Sequence, residues 1–223
     1  NTMARDMKQL IENEYLVKIE SQQATLRALQ SQINPHFVYN TLESISMMAL
    51  VKDHYEIVDM TQAFSLMMRY SMEPSPLVTV REELENVRNY VTIQKIRFPD
   101  RFQMEYQVEE ACLEEKLPRL TIQPLVENAF RHGFEDTPNH KQILVSICRR
   151  RGFLELRIFN DGATVSHERL ARGRFLLDPD CQENTMDCYA LRNLSRRLRL
   201  LFGEKSRVTL RSGAGTGTIV SLR

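Results

Sequence analysis

The chain has 223 residues, 42% hydrophobic and 26% charged, a balance that fits a soluble protein with a real core. Lys and Arg number 30 against 29 Asp and Glu, and a net charge of +1 offers no field for nucleic acid or a membrane surface. No apolar run is long enough for a transmembrane helix, no signal peptide is visible, and the four scattered cysteines (Cys112, Cys148, Cys181, Cys188) lack the CxxC spacing of a zinc knuckle. A reducing, cytosolic setting is expected, and the polar helical opening reads as a fragment of something longer.

From Met3 to Met72 there is no glycine and a single proline, Pro35, the composition of long helices. Leu26, Leu29, Ile33 and Phe37 step by three or four and form a helix seam. A second stripe, Ile57, Met60, Phe64, Met67 and Met68, follows a break at Lys52–His54. Two long antiparallel helices are expected, the second ended by "EPSP" (Glu73–Pro76). So narrow a hairpin buries little by itself, which points to dimerisation into a four-helix bundle. "TVREELENVRNYVTIQKIRF" (Thr79–Phe98) predicts a helix, with Thr79 and Glu82 at capping-box spacing and Leu84, Val87, Val91 and Ile96 near one face. Phe102, Met104, Tyr106 and Val108 then alternate as in a half-buried strand. "LTIQPLVENAFRHGF" reads as helical after its proline. "ILVSICRR" and "LELRIF" flank Gly152 like a hairpin. "LRNLSRRLRLLFGE" is an amphipathic helix ending at Gly203, and "GAGTG" joins the strands "RVTLRS" and "TIVSLR". The reading is an all-α N-terminal part followed by an α+β domain from near residue 100.

Four stretches invite chemistry. In "LQSQINPHFVYNTL", Pro35 interrupts a helical run, removes a donor at a cost of ~3 kcal/mol and pushes Asn34 from helical angles. His36 falls on the shoulder of the seam, where its ring reaches water; alone it is an ordinary helical histidine, and the kink merely lets the helix follow its bundle partner. In "PLVENAFRHG", Glu127 and Asn128 sit among Leu125, Val126, Ala129 and Phe130. Buried polar atoms need partners, their oxygens suit a hard cation such as Mg²⁺, and Arg131 suits a phosphate; a solvated helix face is the alternative. "FNDGATV" is first of all a turn after a strand. "GAGTGT" is first a hairpin, although its glycines also let a backbone approach a ligand.

Together and in this order, over roughly residues 25 to 223, the segments resemble the sensor histidine kinases of two-component systems, in particular the LytS/YesM-type family. "LQSQINPHFVYNTLESI" resembles that family's phosphoacceptor box, usually QINPHFLFNTL. "LTIQPLVENAFRHGF" is similar to its N box, and "TVREELENVRNYVTIQKIRF" to the helix leading into the ATPase domain. The resemblance implies an all-α dimerisation hairpin, a four-helix bundle in the dimer, followed by an α+β sandwich ATPase domain of the GHKL type. The implied division is residues 1–76 for dimerisation and the phosphoacceptor, 77–100 for a connecting helix, and 101–223 for ATP binding and catalysis.

The implied activity is ATP-dependent autophosphorylation of His36, a phosphotransferase step, with relay to an aspartate on a response-regulator receiver domain. By the same resemblance Asn40 orients the His36 ring, Glu127 orients water or polarises the phosphoacceptor, and Asn128 holds Mg²⁺. Arg131 and His132 line the phosphate side. Asn160, Asp161 and Gly162 belong to the adenine box, Thr218 completes the base pocket, and Arg192, Asn193 and Gly217 complete the ATP-binding set. The implied partners are a second copy and the receiver domain, with no nucleic acid and with a membrane only through an N-terminal sensor region missing from this stretch. The implied place is the cytoplasmic side of an inner or plasma membrane sensor. Two boxes depart from the pattern. The family's DNGxG reads "NDGAT", with Asn160 at the usual Asp, Asp161 at the usual Asn and Thr164 at the second glycine. Its GxGLxN reads "CYALRN" (Cys188–Asn193), without the glycines that let a lid backbone close over phosphates. The alternative is therefore a non-catalytic dimeric signalling scaffold with a degenerate nucleotide lid. A gyrase-like ATPase, the third class, has no use for the retained "INPHF".

Overall fold

The computed structural model describes residues 35–133, 141–162, 166–177, 189–203, 205–213 and 217–223. The seam positions Leu26, Leu29 and Ile33, and the helix expected ahead of Pro35, lie outside the described residues. The chain divides into two compact units, residues 1–61 and 62–223.

In the first unit, helix α1 (Pro35–Leu50) leads through a turn at residues 51–54 into α2 (Tyr55–Met72), which runs on into the second unit. The turn falls where the break was expected. The Lys52 and His54 N–H groups both bond the Ala49 carbonyl, at 3.0 and 2.9 Å, closing the end of α1. Asp53 takes the left-handed conformation (φ 56°) that reverses the chain, and the Tyr55 hydroxyl holds its carboxylate at 3.0 Å. Large apolar side chains stay in solvent here: Phe37 is 68% exposed, Met48 65% and Val51 81%.

The second unit is α+β. Short strands β1 (Leu77–Thr79) and β3 (Lys116–Pro118) pair antiparallel. A five-stranded sheet has the order β2–β4–β5–β7–β6. In it β2 (Phe102–Val108) runs parallel to β4 (Lys141–Arg150), while β5 (Phe153–Asn160), β6 (Val208–Gly213) and β7 (Gly217–Leu222) join antiparallel. Alternation along β4 puts Ile143, Val145 and Ile147 into the core, all completely buried. The β4–β5 hairpin turns on Arg151 (φ 50°) and Gly152 (φ 79°), two left-handed residues whose twist matches the strands.

Three helices close the core: α3 (Val80–Arg97), α4 (Ile122–Gly133) and α6 (Tyr189–Phe202), while α5 (His167–Leu176) lies against β6. Val80, Leu84, Val87 and Val91 of α3 share one cluster with Ile122, Leu125 and Val126 of α4, Leu191, Leu194 and Leu198 of α6, and the inner face of the sheet. The segment suggested as a connector thus contributes a full face to the α+β core. Its capping box is formed: the Glu82 N–H donates to Thr79 Oγ1 at 3.2 Å, and the Thr79 N–H donates to Glu82 Oε2 at 2.7 Å. Helix α4 starts at Ile122, ahead of Pro124 rather than after it, because a proline in the first helical turn lacks only an N–H that has no intrahelical acceptor. The strands β1 and β3 are too short to leave a periodic signal, and α5 carries no clear apolar stripe.

Candidate functional site

His36 is exposed on the first turn of α1, and Asn40 follows one turn later on the same face. The Asn40 Nδ2 lies 3.3 Å from His36 Nδ1. An amide N–H at a ring nitrogen makes that nitrogen the acceptor and so biases the tautomer. The α1 backbone is pinned alongside by Thr41, whose hydroxyl donates to the Phe37 carbonyl at 2.8 Å.

The second unit gathers other candidates around the end of β5. Asn160 is buried, and its Nδ2 donates to the Ala129 carbonyl at 3.0 Å, tying the strand end to α4 beside Asn128. Its Oδ1 is buried with no hydrogen-bond partner among the described residues. A carbonyl only accepts, so the amide must turn Nδ2 toward Ala129 and leave Oδ1 as an open acceptor. Gly217 opens β7 at φ 71°, and a Cβ there would stand 2.0 Å from the Asn160 carbonyl oxygen. Only glycine allows that approach. Thr218 pairs with Asn160 across the sheet, its Oγ1 3.0 Å from Ser212 Oγ.

Glu127 and Asn128 are half-buried on α4, and Arg131 is exposed one turn on. His132 belongs to the same helix, but its side chain lies outside the described residues, as do Thr164 and Cys188. Asp161 is exposed, and its Oδ1 accepts the Gln142 N–H at 2.7 Å, so that oxygen secures the start of β4. Gly162 follows it, half-buried. Arg192, half-buried, and Asn193, exposed, ride on α6. Ala190, where the family's box has its second glycine, has a helical backbone, which any L-residue adopts without strain.

A polar seam between α3 and α4 was not read from the sequence. Glu83 is fully buried and accepts the N–H groups of Leu120, Thr121 and Ile122 at 2.6, 2.8 and 2.6 Å, together with the Tyr70 hydroxyl. A carboxylate at a helix N-terminus satisfies orphan donors and complements the helix dipole. Burial first, and then the Glu83 charge, push the Tyr70 hydroxyl well above its ordinary range. Arg119 donates to the Tyr70 and Ser75 carbonyls at 2.5 and 2.9 Å and pairs with Glu73 at 2.8 Å, anchoring the end of α2. One helical turn on from Glu83, Asn86 donates to Gln123, and Gln123 donates to Glu127 at 2.7 Å. Tyr90 packs edge-on against Phe130, and burial, followed by the Glu127 charge, pushes its hydroxyl up to about 12. In the sequence the seam's only trace is a spacing: Glu83, Asn86 and Tyr90 lie three and four apart on one helix, and Gln123 and Glu127 four apart on another.

Residues 24–102 match the family model described as histidine kinase. The Sensor protein LytS of Enterococcus faecalis is 32% identical over 186 residues, 82% of this chain and 31% of that protein. The Sensor histidine kinase YesM of Bacillus subtilis is 30% identical over 213 residues, 95% of this chain and 34% of that protein. The chain is a relative of the LytS/YesM-type sensor histidine kinases. It spans about a third of the length of the curated relatives it matches. The histidine kinase match takes in His36, Asn40, Glu83 and Asn86 and stops ahead of α4. Among solved structures, the histidine kinase domain of a blue-light activated histidine kinase from Erythrobacter litoralis superposes with a TM-score of 0.47 at 14% identity, covering 84% of this chain and 92% of that one. So loose a likeness adds nothing to the sequence relationship.

Proposed function

We propose that this chain works as an ATP-dependent protein-histidine kinase that phosphorylates its own His36 and passes the phosphoryl group to an aspartate of a response-regulator receiver domain. The observation that carries the reading is an exposed histidine, met by an amide one turn away, inside the stretch that matches the histidine kinase family. Neutral imidazole is a competent nucleophile at physiological pH. In the proposed step a ring nitrogen of His36 forms a bond to the γ-phosphorus. The bond to the bridging oxygen breaks, and ADP leaves with that electron pair. Asn40 holds the ring in one orientation, and Glu127 supplies a carboxylate to polarise the phosphoacceptor.

In the nucleotide site the open Asn160 Oδ1 suits the 6-amino group of adenine, and Gly217 keeps the backbone low enough for Thr218 to flank the base. Asp161, Gly162, Arg192 and Asn193 border this pocket, and Arg131 and His132 take the phosphate side. Asn128 would hold the Mg²⁺ supplied with ATP, which would neutralise charge on the phosphates. Asn128 offers a half-buried amide oxygen beside Ala129, which fits an ion that draws only one or two ligands from protein.

The working unit in this reading is a homodimer whose hairpins cover the exposed Phe37, Met47, Met48 and Val51. Residues 1–76 would serve dimerisation and phosphoacceptance, 77–100 connection, and 101–223 nucleotide binding. Among the described residues no helix is long and apolar enough to cross a membrane. Attachment to a membrane sensor is inferred from the family resemblance. A second reading, a dimeric scaffold without catalysis, draws its support from the lid sequence, where Thr164 and Cys188 replace glycines. Incubation with γ-labelled ATP and Mg²⁺ separates the two. The kinase reading expects label that is lost in acid and kept in base. ATP binding without any label would favour the scaffold.

A further inference from the structure

We propose that Asn86 and Gln123 are positioning residues that aim the Glu127 carboxylate through a one-way amide relay; this rests on the kinase reading above. Asn86 is 2% exposed on α3, and its Nδ2 donates to Gln123 Oε1 at 2.5 Å. Gln123 Nε2 then donates to Glu127 Oε1 at 2.7 Å. The direction is forced from one end. An ionised carboxylate only accepts, so Gln123 must present its NH₂ to Glu127 and its carbonyl to Asn86. That orientation obliges Asn86 to present its own NH₂, and its Oδ1 is left buried without a partner among the described residues.

This orphan is the second observation. An unpartnered buried acceptor is costly, and an apolar side chain of similar volume at position 86 would fold with less penalty. A packing role gives no reason for an amide there. A need to fix the Gln123 amide does. The relay engages Glu127 Oε1 and leaves Oε2 to act on the phosphoacceptor or on water. It draws on two helices packed through one core, and a group held from a rigid neighbour is positioned better than one on a loop. Glu83, one turn before Asn86, accepts the Thr121 and Ile122 N–H groups where α4 begins, so the same face of α3 fixes both the helix and its acid.

The test uses the full chain, its Asn86→Asp, Asn86→Leu and Gln123→Met variants, and initial rates of histidine phosphorylation across ATP concentrations. In Asn86→Asp the new carboxylate turns the Gln123 amide over, so that its Oε1 faces Glu127. In Asn86→Leu the Gln123 carbonyl loses the donor that fixes it, and its NH₂ is no longer held on Glu127. The relay therefore predicts that Asn86→Asp and Gln123→Met lower the maximal rate by about ten- to a hundredfold and Asn86→Leu by about three- to tenfold, with KM for ATP moved by less than about twofold in each. Side-chain ¹⁵N NMR gives a readout apart from activity: the Gln123 Nε2 resonance should move in Asn86→Asp, in Asn86→Leu and in Glu127→Ala. Losses that follow melting temperature across the variants, with the Gln123 Nε2 resonance unmoved in Asn86→Leu, would reduce Asn86 to packing and overturn the proposal. A labelled parent with indifferent variants overturns the relay alone. An unlabelled parent overturns the kinase reading and this role with it.

Discussion

The two units dispose of their chemistry in opposite ways. Along the α1–α2 hairpin, apolar side chains such as Phe37, Met48, Val51 and Tyr55 face solvent, and so do the polar candidates His36 and Asn40. In the α+β unit the polar groups are inside: Glu83, Asn86 and Asn160 are all at most 5% exposed, and each is held by named donors or acceptors. An exposed apolar face calls for a partner chain. A buried polar group calls for a fixed geometry. In the proposed reading the hairpin serves association and the sheet domain precise placement, the division of labour that phosphoryl transfer needs.

The sharpest break of that contrast is Glu83→Ala. It strands the N–H groups of Leu120, Thr121 and Ile122 and the Tyr70 hydroxyl, and should cost about 3–5 kcal/mol, a fall of roughly 6–20 °C in melting temperature. Differential scanning calorimetry would register it, and a fall of a degree or two would mean the seam is peripheral. On the hairpin side, charges at Phe37 and Met48 should hardly touch folding of the α+β unit. The double change to Glu should weaken self-association by about thirty- to a hundredfold, read as a concentration-dependent mass in sedimentation. A parent that sediments as a monomer at micromolar concentration would remove the dimer.

Asn128→Ala should lower Mg²⁺-dependent affinity for a non-hydrolysable ATP analogue by about tenfold and leave the melting temperature within a degree or so. Unchanged affinity in calorimetry would take Asn128 out of the metal site. The smallest effect belongs to Glu82. The Thr79 backbone N–H first, and then its hydroxyl, hold this carboxyl below its ordinary value of 4.5. A lowered folded-state value stabilises in full above pH 4.5 and is lost as pH falls through the folded value. Glu82→Gln should therefore cost about 0.5–1 kcal/mol near neutrality, and parent and variant should converge in acid. A gap that widens in acid would contradict the capping box.

Much of this fold was legible because local rules and tertiary packing agree. The alternation at Phe102–Val108, the hairpin at Gly152, the capping box at Thr79 and the closing Gly203 each express a periodicity or turn rule that the core reinforces. The resemblance picked out His36, Glu127, Asn128 and the end of β5 because those residues form contiguous motifs. The α3–α4 seam escaped because its members, Glu83, Asn86, Arg119 and Gln123, are up to forty residues apart, and only packing brings them together. Position 83 looked like one more glutamate in a charged helix. Burial gives it meaning, and burial of a single charged residue has no local signature.

Labelling the parent and His36→Gln with γ-labelled ATP and Mg²⁺ under matched conditions decides whether His36 receives the phosphoryl group from ATP. The parent should carry acid-labile, base-stable label and the variant none, although the variant should still bind ATP and still dimerise because His36 is exposed and makes little core contact. Label of the same lability on the His36→Gln variant would contradict it and move the phosphoacceptor to another of the chain's five histidines.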